Sequence, residues 1–280
     1  MIVDLHTHLL NADRHFAQPF WNDLDRCGIP RGEWRYTEEA YLAGTAAADR
    51  VVVFGLTARK TGWHGDNRYV ADFVRRHPEK YIFFTSIDPL DPDYMDQLRH
   101  DHAQLGAKGL KIGPVYQGLP PTAPQYYRMF EYCQAHGLPV ITHMATTFSS
   151  GVPLDYARPV HMDQVAADFP GVKFVLAHLG HPWSGECVAA VRHQPNLYAD
   201  LSALYYRPWQ FYQTMMTVQE YGIWDKVLFG SDFPATTTAS SLEGIRGVNR
   251  VIEGTGLPPV NLDKIEEIIH RNALELLGIE

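Results

Sequence analysis

Eight short apolar runs, alternating with helix-patterned stretches along 280 residues, predict an α/β fold in the form of a (β/α)8 barrel. Three observations carry this. The runs are rich in β-branched residues and largely uninterrupted, as in strands buried on both faces. They begin at positions 2, 51, 81, 109, 139, 172, 197 and 227. The stretches between them have the length and pattern of the crossovers that parallel strands require. A doubly wound open sheet is the alternative. However, no Gly-x-Gly-x-x-Gly follows a strand and no Gly-x-x-x-x-Gly-Lys occurs, so its nucleotide-binding versions lose support.

Taken in order, Met1-Ile2-Val3 opens the first strand, which runs into Asp4-Leu5-His6-Thr7-His8. Residues 9–34 are polar with scattered aromatics, among them Trp21 and Trp34, and read as a long loop with some helix. Thr37 is an N-cap candidate with an acidic first turn behind it, opening a helix to residue 48. The second strand is Val51-Val52-Val53-Phe54-Gly55. Helix 67–76 leads to strand 81–87, and helix 93–105 stops at Gly106 before strand 109–112. Helix 125–136 precedes strand 139–142, and helix 159–169 precedes strand 172–177. Helix 187–192, strand 197–201, helix 209–221 and strand 227–229 follow. Helices 242–253 and 262–277 close the chain at Gly278. With no repeat, low-complexity tract or linker, residues 1–280 read as a single domain.

Composition narrows the function classes. A net charge of -8 without any basic run argues against a nucleic-acid partner, because phosphate neutralisation needs clustered Lys and Arg. No apolar segment approaches the roughly 20 residues of a membrane span. The strand at the N-terminus leaves no room for a signal peptide. Cys27, Cys133 and Cys187 are few and far apart, which fits a reducing compartment. The expectation is a cytoplasmic enzyme acting on a small molecule, with homo-oligomerisation left open.

The chemistry is concentrated where strands end. His6 and His8 stand at i and i+2, so an extended chain projects both imidazoles to one side. Alone, such a pair is weak evidence. But Val-Ile-Thr-His143, Val-Leu-Ala-His178 and Leu-Phe-Gly-Ser-Asp232 repeat the pattern of an apolar run closed by a metal-competent residue, and Lys111 sits in strand four. In a barrel the C-terminal strand ends converge on one face, where active sites lie. Four imidazoles and a carboxylate gathered there suit a borderline divalent ion such as Zn²⁺. Arg59, Tyr116 and Arg207 follow strands two, four and seven, where they could line a pocket or simply pack in loops.

These segments resemble the amidohydrolase superfamily. The similar branch is the amidohydrolase-related one, with metal-dependent hydrolases and aminocarboxymuconate-semialdehyde-type decarboxylases. The marks are Asp4-Leu5-His6-Thr7-His8, Gly106-Ala107-Lys108-Gly109-Leu110-Lys111, Gly137-Leu138-Pro139-Val140-Ile141-Thr142-His143, Leu176-Ala177-His178-Leu179-Gly180 and Phe229-Gly230-Ser231-Asp232-Phe233-Pro234. The resemblance implies one divalent metal, Zn²⁺ before Mn²⁺, on His6, His8 and His143, with Asp232 as ligand or partner of the activated water. It implies His178 as a non-ligand general acid/base. Lys111 is expected unmodified, as a substrate-facing cation or a structural residue. A carbamylated Lys111 bridging two metals is the less favoured form. Hydrolysis of a C–O or C–N bond is the first expectation. Decarboxylation of an unsaturated or aromatic acid is the second, and a catalytically silent metal-binding barrel the third.

Overall fold

The computed structural model describes residues 1–279, so Glu280, the last residue of the expected domain, lies outside them. Eight parallel strands form the wall: β1 (Val3–His8), β2 (Arg50–Phe54), β3 (Tyr81–Phe83, resuming at Thr85–Ser86), β4 (Leu110–Ile112), β5 (Val140–Thr142), β6 (Phe174–Leu176), β7 (Leu197–Asp200) and β8 (Val227–Leu228). Each pairs with the next in parallel register, for example Val51 with Tyr81, Lys111 with Ile141, and Val140 with Phe174. Closure is made by hydrogen bonds from β1 to β8 and the chain just beyond it. Leu5 N–H donates to Phe229 O at 3.1 Å, and Asp232 N–H donates to His6 O at 2.8 Å. Thr7 bridges Phe233 in parallel. The (β/α)8 expectation therefore holds, and all strands point their C-terminal ends to one mouth.

The interior has two storeys. Its floor is apolar, with Val3, Leu5, Val52, Phe54, Ile82, Phe84, Ile141, Val175 and Leu228 buried against one another. The C-terminal helix Ala273–Leu277 seals the bottom with Leu274 and Leu277. A larger apolar layer lies between β4–β8 and their helices. In β1 the ladder slips: Asp4 pairs with Val51 but Thr7 with Val53, so β1 has one residue more than β2 over this span. Such a bulge changes which side chains face inward. Leu5 packs in the floor, yet His6 also reaches the interior, where its ring meets Phe54 at 5.1 Å.

Several element boundaries differ from expectation. Helix 93–105 is an α-helix at Tyr94–His100 followed by a wider π turn at Asp101–Leu105. Helix 242–253 begins earlier, at Thr238, where Thr237 caps it, and after Arg246 it tightens into a 3₁₀ turn at Val248–Ile252. Helix 262–277 is two helices, Leu262–Ile269 and Ala273–Leu277, with Asn272 capping the second. The loop after β1 holds a helix at Gln18–Arg26. A small hairpin, Thr57–Ala58 with Trp63–His64, follows β2 and was not foreseen. Among the described residues, no helix is long and apolar enough to cross a membrane.

Asp4 ties the mouth to the wall. Its carboxylate is fully buried and accepts from Ser231 N–H at 2.8 Å and Thr238 Oγ1–H at 2.6 Å. It thus links β1 to the turn beyond β8 and to the helix that follows. Burial raises the Asp4 carboxyl to about 6 despite these donors. The folded chain therefore holds this proton more tightly than the unfolded chain, so the carboxyl's contribution to stability falls as pH rises through 6. Relative to Asp4→Asn, the wild-type protein should lose roughly 1 kcal/mol of unfolding free energy between pH 5 and pH 8. Urea titrations of both proteins across that range check this; a pH-independent difference would contradict it.

Candidate metal centre

The mouth gathers side chains from six strands. His6 and His8 come from β1, Lys111 from β4, and Asp200 from the end of β7. His143, His178 and Asp232 lie just beyond β5, β6 and β8. All are buried apart from slight exposure of His8 and Asp232. His178, Leu179, Ala203 and Asp232 have positive φ of 60°, 43°, 58° and 66°. These are unfavourable for non-glycine residues and cluster where a surrounding structure enforces them. Here the chain turns sharply at strand ends, and hydrogen bonds hold it: His178 N–H donates to Asp200 Oδ1 at 3.0 Å, and Asp232 N–H to His6 O. Gly230 allows β8 to approach β1, since a Cβ there would stand 2.8 Å from the His6 Cβ.

Hydrogen bonds fix which ring nitrogens carry protons. Asp200 accepts from Ser202 N–H at 3.0 Å, from the Ser202 hydroxyl, and from His178 N–H. Burial pushes this carboxyl upward, but His6 and these donors outweigh it and hold it well below the usual carboxylate range. Ionised Asp200 only accepts, so His6 Nδ1, 2.8 Å away, must donate. The His6 Nε2 lone pair is left facing the cavity. His143 Nε2 lies 3.0 Å from Ala145 O and 3.3 Å from Thr146 O, so it carries the proton and Nδ1 the lone pair. His178 Nδ1 lies 3.0 Å from Ser202 O, so its Nε2 has the lone pair. Those two lone-pair atoms, His143 Nδ1 and His178 Nε2, face each other at 3.1 Å. Two acceptors at that separation repel unless a proton or cation lies between or beside them.

This is the arrangement a divalent ion would relieve. The ligating atoms of His6, His178 and Asp232 all lie within 4.8 Å of one another. Asp232 Oδ1 is 3.4 Å from His6 Nε2 and 3.5 Å from His8 Nε2. Burial would raise the Asp232 carboxyl, but His178, His8 and His6 outweigh it and keep it ionised. Burial lowers His178 to about 4, so it is neutral near pH 7. Imidazoles with a carboxylate match Zn²⁺, and Mn²⁺ also accepts such a set. The residues present therefore fit a metal. His178, expected beside the ligands as an acid/base and not among them, has its Nε2 next to this cluster. Lys111 is a resident cation: Nζ lies 3.0 Å from His6 Nε2 and 4.7 Å from the Phe54 ring centroid. Burial lowers its ammonium to about 8, while Asp200 and Asp232 oppose the shift.

Above the cluster opens a cavity of about 890 Å³, lined by His8, Lys111, Tyr116, His143, His178, Arg207 and Asp232 among others. Arg207 donates to Ala203 O at 2.9 Å and stacks on Tyr206. Arg59, expected near substrate, pairs through its guanidinium with Asp91 at 2.9 Å and is not among the residues lining this cavity. Asp200 and Ser202 were missed by the sequence reading. The signal was present for Asp200, a carboxylate closing an apolar strand like His143 and His178. Ser202 had none, because its role comes from a backbone carbonyl and a hydroxyl placed by the turn.

A family model described as Amidohydrolase matches residues 3–279. No curated protein matches the sequence. Solved structures do. An uncharacterised TIM-barrel protein from Bordetella bronchiseptica superposes with a TM-score of 0.74 at 21% identity, over 99% of this chain and 98% of its own. A zinc-bound amidohydrolase from Burkholderia multivorans gives 0.69 at 12% identity, over 100% of both chains. A 5-carboxyvanillate decarboxylase from Sphingomonas paucimobilis gives 0.68 at 16% identity, over 100% of this chain and 99% of its own. At these identities the likeness is one of fold.

The Asp200 contact to His6 sets the tautomer that exposes Nε2. Asp200→Asn should therefore weaken zinc binding by roughly 10–100-fold, as loss of such outer carboxylates does. Calorimetric titration with Zn²⁺ checks this; unchanged affinity in a folded variant would remove the orienting role.

Proposed function

The chain belongs to the amidohydrolase family, and from that premise we propose that it is a metal-dependent hydrolase of a small organic substrate, cleaving a C–O or C–N bond of a lactone, ester or amide. The ion is one divalent metal, Zn²⁺ before Mn²⁺, on His6, His8, His143 and Asp232. When bound, it supplies Lewis acidity, lowering the pKa of water and polarising a carbonyl. The observation that carries the reading is geometric: Asp232 Oδ1 lies 3.4 Å from His6 Nε2 and 3.5 Å from His8 Nε2, and Ser202 O holds the His178 ring with Nε2 inward. A carboxylate and an imidazole are thereby placed together where an attacking water would need a proton acceptor.

In this reading Asp232 takes a proton from the attacking water, whose oxygen bonds to the substrate carbonyl carbon. The C–O or C–N bond then breaks, and the proton passes from Asp232 to the leaving oxygen or nitrogen. His178 orients the water or substrate through Nε2, while Ser202 O anchors its Nδ1–H. The Lys111 ammonium stabilises negative charge that develops on the carbonyl oxygen. Tyr116 and Arg207 contact the remainder of the substrate.

A second reading, non-oxidative decarboxylation of an unsaturated or aromatic acid, is favoured by one observation. Arg207 lines the cavity and pairs with a backbone carbonyl rather than a carboxylate, so it is free to hold an anionic substrate.

Elemental analysis should find one equivalent of metal. Two would draw Lys111 into the site, and none after reconstitution with Zn²⁺ or Mn²⁺ would overturn both readings. With a lactone, ester and amide panel, Asp232→Asn should lower kcat by roughly 10²–10⁴-fold. Release of CO₂ from an unsaturated acid, with no hydrolysis across the panel, would select the second reading instead.

A further inference from the structure

The cavity has another end that the proposed chemistry leaves unused. Its roof is made by the loop after β1 and the loop after β5, which are fastened together. Ser150 donates to the Asp23 carboxylate from its N–H at 2.8 Å and its hydroxyl at 2.7 Å. Arg26, 3.1 Å from Asp23, also donates to Phe148 O. This roof carries Trp34 and Phe148, both on the cavity wall and only half-buried.

From the donor cluster to the roof the rings touch in an unbroken series. His143 meets Tyr116 at a centroid distance of 4.8 Å, and Tyr116 meets Trp63 at 5.5 Å. Trp63 meets Trp34 at 5.5 Å, and Trp34 meets Phe148 at 5.9 Å. All four contacts are edge-to-face. Within this wall, among the described residues, the Trp63 indole N–H is buried without a hydrogen-bond partner, and the half-buried rings of Trp34 and Phe148 line the cavity. The surface offered is therefore aromatic carbon. A hydrolysable group at the donor cluster would fill a small part of the 890 Å³ available. The half-buried faces of Trp34 and Phe148 gain most from another ring, because aromatic pairs are favourable beyond the area they bury.

We infer that Trp34, Trp63 and Phe148 form a distal subsite that takes a flat, unsaturated ring of the substrate while its reacting group lies at the donor cluster. This rests on reading the cavity as the substrate site. The subsite selects substrates by the ring they carry, and it works without the metal.

The test is calorimetric titration of metal-free protein with 2-naphthol and with its saturated, puckered counterpart decahydro-2-naphthol. The intact protein should bind 2-naphthol about tenfold or more tightly than the saturated compound. A variant with both Trp34→Ala and Phe148→Ala should lose that binding by at least roughly tenfold. Phe148→Leu keeps an apolar side chain and should narrow the preference while leaving the thermal midpoint near wild type. Zinc binding by equilibrium dialysis should match the intact protein in both variants. Equal affinity for the two probes, no binding by the intact protein, or full binding by the double variant would each overturn the subsite. Failure to bind zinc while the 2-naphthol preference persists would remove the metal-hydrolase reading and leave the subsite standing.

Discussion

Everything at the mouth depends on the Asp200 carboxylate. It holds the His6 ring by Nδ1, the Ser202 hydroxyl and N–H, and the backbone N–H of His178. Three strand ends are thereby fixed to one buried charge. That charge is tolerable because four donors reach it, three at Oδ1 and one at Oδ2, since an unpaired buried ion would be strongly destabilising. The consequence passes outward. His6 is locked in one tautomer, Ser202 O in turn locks His178, and both rings present lone pairs to the same small volume.

A polar centre of this kind needs an apolar counterweight. The barrel places it directly below, in a floor closed by the C-terminal helix. The bulge in β1 lets one strand serve both storeys, with Leu5 in the floor and His6 above it. Asp4 then anchors the turn that carries Asp232, so the strained residue at φ 66° is held from both sides. The local strain at strand ends is offset by the packing of the scaffold, as is usual where geometry serves chemistry.

Over the centre, the loops after β1 and β5 make a roof of different character. Its aromatic wall joins the donor cluster through Tyr116 and His143, so the apolar and polar parts of the cavity share a border. Reaction and recognition can thus be separated along one cavity, with the proposed metal chemistry at the donor cluster and substrate choice in the loops.

The strand-helix alternation was legible because buried parallel strands leave continuous apolar runs, and the ligand candidates were legible because each closes such a run. His6, His8, His143, His178 and Asp232 meet as that periodicity implies. Helix ends were less legible: residues 262–277 keep a helical pattern, while the first helix ends at Ile269 and Asn272 starts the second through its own side chain. The pairing of Arg59 with Asp91 was not legible, because a hairpin of two-residue strands carries no strong pattern and Asp91 meets the guanidinium across space. By itself, then, the sequence determined the barrel, the mouth and the residue types available for a metal. Only the tertiary structure decided which nitrogens face inward, that Asp200 governs them, and that aromatic rings from distant loops share one wall. Those outcomes depend on hydrogen bonds and contacts between segments far apart in the chain, which local periodicity does not encode.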